Sequence, residues 1–333
     1  MSEVSPGVRL ARLLDGYLTT QLICTAARLR LDEVLAEGPQ TGAELAAAVG
    51  ADPDLLGQVL RGLVSVEVLE EDDQGRFGLT RLGAALDPMR SAALVRGDLY
   101  YAAAAALPDC VVEGGVPFRR TYGTDFFSHL GTHPDVAATF QQAMGERSEG
   151  EVRDVLAAYD FAGLRTVVDV GGGQGTLLAA IMQQVPELTG ILVDRDVAVQ
   201  SAVRTFAAAG LTDRTQCVVG DFFEPLPAGH DGYLLSRVLH DWSDADARRI
   251  LLACRRAMSA DGRLLVVDAL LPARVADGRD AIRMDLHMMV LFGSRERTEA
   301  EFAALLADTG FALGKVGLTS SPTRLAVLEA RPI

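Results

Sequence analysis

The chain has 333 residues and a formal net charge of −14 at pH 7, and 49% of its residues are hydrophobic. This composition excludes a disordered protein, and the length favours two domains. Because phosphate contacts need clustered lysines and arginines, so acidic a chain is a poor candidate for binding nucleic acid. No apolar run is long enough to cross a membrane, and the first residues lack the apolar stretch of a signal peptide. We therefore expect a cytoplasmic protein whose partner is a small molecule or another subunit.

Neither the histidines nor the cysteines indicate a metal site. His129 and His133 have the i, i+4 spacing that two ligands on one helix would have, but Gly131 and Pro134 argue against a regular helix there. The cysteines are scattered without a C-x-x-C pair, which predicts buried free thiols and neither disulfides nor structural zinc: Cys24, Cys110, Cys217 and Cys254.

The first 95 residues have the pattern of a small helical domain that ends in a hairpin. A capping box at Thr41 and Glu44 predicts the start of one helix, and Asp52 followed by Pro53 predicts the start of the next. Two short runs, 66–70 and 76–79, flank a polar turn and predict a hairpin. Residues 10–35 are predicted to be helical, with an apolar stripe of Leu10, Leu13, Leu14, Leu18, Leu22 and Ile23.

Helix, turn, helix and hairpin is the winged-helix arrangement, which often reads DNA. Arg61 is the only cation on the second helix of the pair. A phosphate backbone would repel the hairpin, because this region carries five acids: Glu67, Glu70, Glu71, Asp72 and Asp73. We therefore predict that residues 1–95 form a winged-helix domain that serves packing or dimerisation, and that residues 96–333 form a helical linker and a second domain.

The second domain has the pattern of a mostly parallel α/β sheet. Residues 95–160 are predicted to be mostly helical, with Pro134 opening a helix. Beyond them strands alternate with helices, at 166–170, 190–193, 216–219, 232–235 and 263–267 for the strands and at 175–185, 197–209 and 244–258 for the helices. Thr298 and Glu301 cap a further helix that ends at Gly310. The runs 311–319 and 324–330 predict a closing hairpin at the sheet edge.

A strand, a glycine-rich turn and a helix follow one another from residue 167, where the chain reads VVDVGGGQG. Glycines let the backbone turn sharply and let a ligand approach closely, and the helix N-terminus favours an anionic group. Asp194 ends the next predicted strand, about twenty residues later, where a carboxylate can accept hydrogen bonds from ribose hydroxyls. These two features fit NAD and S-adenosylmethionine about equally.

The segment Gly220-Asp221-Phe222-Phe223, after the third predicted strand, separates the two cofactors. An acid there can take the adenine amino group, and an aromatic ring can stack on the base. Dinucleotide sites do not require this pair, and the turn GGGQG departs from their G-x-G-x-x-G fingerprint. The pattern therefore favours S-adenosylmethionine.

His240 lies in the run LSRVLHDWSD, just past the fourth predicted strand. Ligands of open parallel sheets bind beyond the carboxyl ends of the strands, so His240 is expected near the reactive end of the cofactor. A phenol has a pKa near 10 and is a poor nucleophile at neutral pH until its proton is removed. Neutral histidine can remove that proton.

Three motifs together, VDVGGGQG, GDFFEPLP and LHDWSD, resemble the signature motifs of the S-adenosylmethionine-dependent O-methyltransferases of the plant caffeate type. The segment FGSRERTEAEF from Phe292 also resembles that family, and the likeness covers nearly the whole chain. The bacterial branch of the family acts on aromatic polyketides and similar natural products. The resemblance implies an N-terminal winged-helix dimerisation domain, a homodimer, and methylation of a phenolic hydroxyl of a small aromatic metabolite.

The same resemblance implies roles for individual residues. His240 stands at the position of the family's general base, and Asp268 and Glu296 match acids beside it, although the family usually has Glu where this chain has the shorter Asp268. The implied cofactor contacts are Met144, Ser148, Gly171, Gly173, Asp194, Arg195, Asp221, Phe222, Ser236 and Arg237. The implied acceptor pocket draws on Phe126, Met144, Met284, His287, Met288 and Phe292, residues that a helical core would also explain.

Other functions remain open at this point. Within the same fold the acceptor could be an amine, or the chain could have been recruited to chemistry other than methyl transfer. An NAD-dependent oxidoreductase is disfavoured by the Gly-Asp-Phe and His-Asp-Trp motifs. A ligand-sensing winged-helix regulator is disfavoured by the acidic hairpin.

Overall fold

The structure, a computed structural model, describes residues 5–333. The chain forms two compact units. The first contains the described residues up to Ala106 together with Phe127–Glu146, and the second contains Leu107–Phe126 and Arg147–Ile333. In the described range no helix combines the length and the apolar character that crossing a membrane requires.

The first unit is mostly helical and contains a small antiparallel sheet. Its strands are β1 (Gln40–Thr41), β2 (Leu69–Glu71) and β3 (Arg76–Leu79), in the order β1-β3-β2. The helices up to Ala106 are α1 (Pro6–Leu14), α2 (Gly16–Leu29), α3 (Leu31–Ala36), α4 (Gly42–Val49), α5 (Pro53–Ser65), α6 (Arg90–Val95) and α7 (Tyr101–Ala104). A π-turn at Arg96–Tyr100 joins the last two. The helix pair α4 and α5 followed by the hairpin confirms the winged-helix fold.

Local signals in the sequence explain most of these boundaries. Thr41 Oγ1 accepts a hydrogen bond from the Glu44 N–H at 3.3 Å, and Glu44 Oε2 accepts one from the Thr41 N–H at 2.8 Å, which is the predicted capping box. The first hairpin strand begins at Leu69, not at residue 66 as predicted. The reason is that α5 runs to Ser65 and Glu67 turns the chain with a φ of 63°.

The apolar stripe predicted near the N-terminus exists, but part of it is exposed. The predicted helical stretch is divided into α1, α2 and α3 by breaks at Asp15 and Arg30. Leu22 and Ile23 pack against the core of the first unit. Four leucines of the stripe have about half or more of their surface accessible: Leu10, Leu13, Leu14 and Leu18.

The second unit is built on a seven-stranded sheet with the order β6-β5-β4-β7-β8-β10-β9. Its strands are β4 (Thr166–Val170), β5 (Thr189–Asp194), β6 (Thr215–Val219), β7 (Gly232–Ser236), β8 (Arg263–Ala269), β9 (Phe311–Leu318) and β10 (Leu325–Pro332). The first five are parallel, and β10 pairs antiparallel with both β8 and β9. The α/β fold class, the five parallel strands and the closing hairpin are confirmed.

The helices after Ala106 are α8 (Leu107–Glu113), α9 (Pro117–Tyr122), α10 (Phe126–Thr132), α11 (Pro134–Ala158), α12 (Thr176–Gln184), α13 (Asp196–Ala208), α14 (Asp244–Ala257), α15 (Arg279–Phe292) and α16 (Glu299–Ala307). The predicted break near Pro134 is real, because α10 ends before His133 and α11 begins after it. The rings of His129 and His133 stack with centroids 4.0 Å apart. Three of the free cysteines are buried as predicted, but Cys217 is only half-buried because it lies on β6, at the sheet edge.

Candidate active site

The glycine turn after β4 and the acid after β5 meet at one edge of the sheet. Gly171 and Gly173 have positive φ angles of 74° and 58°. The Gly173 N–H donates to Asp194 Oδ2 at 2.8 Å, and the Arg195 N–H donates to Asp194 Oδ1 at 2.6 Å. Beside Gly173, no heavy atom of residues 5–333, apart from the glycine itself and its two chain neighbours, lies within 4 Å of the place that a Cβ would take. A ligand can therefore approach this backbone closely, next to a carboxylate held in a fixed position.

An aromatic group faces the same turn. A Cβ on Gly171 would lie 3.4 Å from the Phe222 ring, so this ring stands directly across the glycine turn. The Phe222 ring packs edge-on against Trp242, with centroids 5.6 Å apart. Asp221 is exposed, and its Oδ1 accepts from the Phe223 N–H at 2.9 Å. The residues predicted to bind the adenosine part of a cofactor thus converge.

His240 lies in a 3-10 turn, Leu239–Asp241, beyond the end of β7, and its side chain is buried. Its Nδ1 lies 2.8 Å from Glu296 Oε1 and 3.6 Å from Asp268 Oδ1. Its Nε2 lies 3.5 Å from Asp241 Oδ1. The shorter Asp268 therefore comes close to the imidazole without a hydrogen bond, and neither of its carboxylate oxygens has a hydrogen-bond partner within the described chain.

The three carboxylates control the protonation of this cluster. Burial alone would lower the pKa of His240, but the charges of Glu296, Asp268 and Asp241 raise it to about 9. Burial by itself would raise the pKa of Glu296, but the charge of His240 and its hydrogen bond, together with the charges of Arg237 and Arg147, hold the pKa of that carboxyl below its usual range. Burial raises the pKa of Asp268 to about 7 and that of Asp241 to about 6. His240 and Glu296 therefore form an ion pair at neutral pH.

The segment Ser294–Arg297 holds the turn that carries His240. Arg297 Nη1 donates to the Leu239 carbonyl at 2.8 Å, and its Nη2 donates to the Trp242 carbonyl at 3.0 Å. Ser294 Oγ donates to the His240 carbonyl at 2.6 Å. We did not predict these contacts. The ERT run predicts a polar loop, but it does not indicate which carbonyl groups, more than 50 residues away in sequence, its side chains bind.

A second charged cluster lies near the first. Arg237 has a left-handed φ of 56°, and its N–H donates to the Val267 carbonyl at 2.9 Å. Its Nη2 donates to Glu151 Oε1 at 2.5 Å, and Arg147 Nε donates to the same oxygen at 3.1 Å. Arg147 and Glu151 are missing from the predicted site. Their i, i+4 spacing on α11 is typical of an ion pair along one helix. That Arg237 joins this pair is visible only in the folded structure.

The residues predicted for the acceptor divide into two groups. Met284 and Met288 are buried on α15, where His287 is half-buried. Phe126 is also buried, and its ring meets Phe292 edge-to-face with centroids 4.9 Å apart. These two phenylalanines pack on each other, which a structural core would also explain.

The remaining predicted cofactor residues are partly buried. Ser236 is the last residue of β7. Met144 and Ser148 are one turn apart on α11, with Met144 in the first unit and Ser148 in the second. The roles assigned to all these side chains stay predictions.

The His240 cluster also has the spacing of a metal site. One donor atom each from His240, Asp268 and Glu296 lies within 4.8 Å of the others. Nδ1 of His240 is, however, already paired with Glu296. That the chain holds no metal stays a prediction.

Comparison with known proteins shows which family this chain belongs to. The family model of the O-methyltransferase domain matches residues 104–312, and that of the O-methyltransferase dimerisation domain matches residues 11–87. The chain belongs to the O-methyltransferase family. The enzyme is 41% identical to the phenazine O-methyltransferase of Lysobacter antibioticus over 97% of this chain and 96% of that protein.

Two further similar proteins are also O-methyltransferases. The 2,7-dihydroxy-5-methyl-1-naphthoate 7-O-methyltransferase of Streptomyces carzinostaticus is 38% identical over 91% of this O-methyltransferase and 92% of that protein. A solved O-methyltransferase from neocarzinostatin biosynthesis, in complex with S-adenosylmethionine and 2-hydroxy-5-methyl naphthoic acid, superposes with a TM-score of 0.83, at 37% identity over 95% of this chain and 96% of that one. The cofactor of this O-methyltransferase is S-adenosylmethionine.

Proposed function

We propose that this O-methyltransferase methylates a phenolic hydroxyl of a small aromatic secondary metabolite, with His240 as the group that takes the hydroxyl proton. The observation that carries the proposal is the buried hydrogen bond between His240 Nδ1 and Glu296, which leaves Nε2 as the nitrogen that can exchange a proton. The phenazine and naphthoate relatives, which act on aromatic compounds, support the acceptor class.

The raised pKa of His240 matches the chemistry of a phenol. Proton transfer from a phenol of pKa near 10 to an ordinary histidine is uphill by about 3.5 pKa units. With the pKa of His240 raised to about 9, the difference is about one unit, or about 1.4 kcal/mol. The carboxylates around the ring thus make His240 a stronger base. They also lower the fraction of enzyme molecules in which the ring is neutral at pH 7.

The cofactor residues fit S-adenosylmethionine. When bound, this cofactor supplies a methyl group made electrophilic by its sulfonium. Asp194 is held by two backbone N–H groups in position to accept from ribose hydroxyls, and the open side of Gly173 allows close approach. Phe222 offers a ring to the adenine and Asp221 a carboxylate to its amino group. The protein's task is to align acceptor and methyl group, which supplies about 7–11 kcal/mol in favourable systems.

The match to a dimerisation domain supports a homodimer, and we place its contact on the exposed leucines of α1. Leu13 and Leu14 are 70% and 69% exposed, an unfavourable state for large apolar side chains in a monomer. Leu13→Glu is expected to shift the enzyme from dimer to monomer in light scattering. Val275→Glu, which changes an exposed apolar residue of the other unit, is the matched control.

The decisive test combines the enzyme, S-adenosylmethionine and a panel of phenols, catechols, hydroxyquinones and aryl amines, with products identified by mass spectrometry. A hydroxylated aromatic is expected to gain one methyl group. His240→Ala is expected to reduce that rate by about 100- to 10,000-fold while its affinity for S-adenosylhomocysteine stays within about twofold. Methylation of amines alone, or a variant with the rate of the wild type, would count against the proposal.

A further inference from the structure

Glu296, which pairs with His240, lies in a segment that belongs to no helix and no strand. Before it, α15 ends at Phe292 and Gly293 turns the chain with a φ of 68°, and after it α16 begins at Glu299. The Glu296 side chain is buried, and its Oε2 finds no hydrogen-bond partner in residues 5–333. A carboxylate on such a segment keeps one position only if the backbone that carries it is held from outside.

The backbone of Glu296 is held by a side chain of α15. The Glu296 N–H donates to Asp285 Oδ1 at 2.9 Å, across 11 residues of sequence. Asp285 is half-buried and lies about two turns before the end of the helix. A hydrogen bond to a carboxylate is roughly twice as strong as one between neutral groups. The donor nitrogen is bonded to the Cα from which the Glu296 side chain starts, so this bond fixes where that side chain begins.

The other hydrogen bonds of this segment hold different atoms. Ser294 Oγ and the Arg297 guanidinium bind carbonyls of the turn that carries His240. The Arg297 carbonyl accepts from the Leu271 N–H at 2.9 Å. Asp285 is therefore the acceptor for the backbone N–H of the residue whose carboxylate meets the imidazole.

The charge of an acid at position 285 is not what this place favours. Burial raises the pKa of Asp285, the hydrogen bond from the Glu296 N–H lowers it, and the charge of Glu296 raises it again. The charges that raise the pKa of His240 most are those of Glu296, Asp268 and Asp241. The useful property of Asp285 is therefore its acceptor oxygen.

We propose that Asp285 is a positioning residue for methyl transfer, which holds the Glu296 carboxylate against Nδ1 of His240 by accepting the Glu296 N–H. The inference rests on the proposed function, in which His240 takes the hydroxyl proton. Asp285 takes no proton itself and acts through Glu296. Without this bond the segment is free to move, so the imidazole loses part of what orients it and stabilises its protonated form.

Two variants of nearly the same shape separate the acceptor oxygen from the charge. Asp285→Leu removes the acceptor, whereas Asp285→Asn retains an acceptor oxygen and removes only the charge. The matched control is Asp280→Leu, which changes an exposed aspartate of the same helix that pairs with Arg283. Thermal melting establishes that each variant folds. If Asp285→Leu does not fold, Asp285→Ala, which leaves only a small gap at a half-buried position, takes its place.

The first measurement follows the His240 ring directly, by nuclear magnetic resonance of the full-length enzyme with labelled histidine and no acceptor. The chain has five histidines, and the spectrum of His240→Gln identifies the signal of His240. In the wild type the ring is expected to titrate near its pKa of about 9. In Asp285→Leu the midpoint is expected to fall by about one pH unit. In Asp285→Asn and in the control it is expected to stay within about 0.3 pH unit of the wild type.

The second measurement is the rate of methyl transfer. In Asp285→Leu, kcat is expected to fall by about 10- to 100-fold, while KM for S-adenosylmethionine stays within about twofold of the wild type. Asp285→Asn is expected to retain most of the rate. A purely structural role for Asp285 would lower the melting temperature without moving the titration of His240.

Three results overturn the inference. The first is a folded Asp285→Leu with the midpoint and kcat of the wild type. The second is a loss of kcat with an unchanged midpoint, because Asp285 then acts on something other than the pairing of His240. The third is an equal shift in Asp285→Leu and Asp285→Asn, because the charge and not the acceptor oxygen then matters. Failure of the proposed function looks different: the titration of His240 moves as expected, and no hydroxylated aromatic of the panel gains a methyl group.

Discussion

Glu296 Oε1 lies 2.8 Å from Nδ1 of His240, although 56 residues separate the two in sequence. Both side chains are buried, so solvent screens their interaction weakly. The pairing fixes the orientation of the ring and stabilises its protonated form. Asp268, at 3.6 Å from the same nitrogen, adds charge without a hydrogen bond. The two acids therefore interact differently with the ring even though they face the same atom.

Methyl transfer is expected to become faster with increasing pH up to about 9. The pKa of His240 is raised to about 9, so the ring holds its proton below that value and becomes neutral as the pH rises through it. In the proposed mechanism it is the neutral ring that accepts the phenol proton, so kcat/KM is expected to rise by up to about tenfold per pH unit below the pKa. A profile measured from about pH 6 to about pH 10 tests this.

Glu296→Gln distinguishes His240 from the phenol as the group that titrates. Without the carboxylate the pKa of His240 is expected to fall toward its ordinary value, which moves the midpoint of the profile to lower pH. The plateau rate is expected to decrease by about 10- to 100-fold, because the ring is then a weaker base. An unchanged midpoint would mean that ionisation of the acceptor, not of His240, sets the profile.

Arg297→Lys is expected to slow the reaction with little change in KM. Arg297 is buried and bridges the carbonyls of Leu239 and Trp242 to Asp244, and a lysine cannot make all these bonds. We expect a loss of kcat of about 10- to 100-fold, measured at a temperature where the variant is folded.

Arg295→Lys is the matched control for Arg297, because Arg295 pairs with the same Asp244 from an exposed position and donates to neither carbonyl. Its kcat is expected to stay near the wild-type value. Equal losses in both variants would show that guanidinium hydrogen bonds to Asp244, and not the bonds to the two carbonyls of the turn, matter.

Asp169→Asn is expected to flatten the pH dependence of stability. Burial, with a contribution from Asp194, raises the pKa of Asp169 to about 7 in the fold, against an ordinary value of 3.8. The folded protein therefore binds more protons than the unfolded chain between these values, and its stability falls as the pH rises through this window. The contribution is on the order of a few kcal/mol.

Thermal or denaturant unfolding at several pH values between about 4 and 7 measures this difference. The free energy of unfolding of Asp169→Asn is expected to change less with pH than that of the wild type. The control Asp261→Asn changes an exposed aspartate and is expected to show the same pH dependence as the wild type. Parallel curves for all three proteins would contradict the buried, proton-binding state of Asp169.

Removal of metal ions is expected to leave methyl transfer unchanged. In the described structure His240 Nδ1 is paired with Glu296, and the positive charge that balances the acids is the proton on the ring. Activity is measured after extended treatment with a strong chelator, with and without added divalent cations. A loss that zinc or magnesium restores would show that the three donor atoms bind a metal instead.

The sequence by itself determined the architecture of both units, because its signals are local. The Thr41 capping box, the alternation of strands and helices, and the glycine turn after β4 each act within a few residues. Hydrophobic patterning predicted strand ends at Asp194 and at Leu235, one residue before the observed end of β7, and the rule that parallel strands end at one edge brought these ends together. His240 and the cofactor motifs could be named because they lie on that edge and resemble a known family.

Only the tertiary structure decided how side chains distant in sequence share protons and charge. It gave the hydrogen bond of His240 to Glu296 and left Asp268 outside hydrogen-bond distance. From the sequence one could see that Asp268 is shorter than a glutamate, but not whether it reaches the imidazole. It brought Arg297 onto the His240 turn and Arg237 onto the Arg147–Glu151 pair. These relations depend on burial and on distances across 50 or more residues, which local periodicity does not encode.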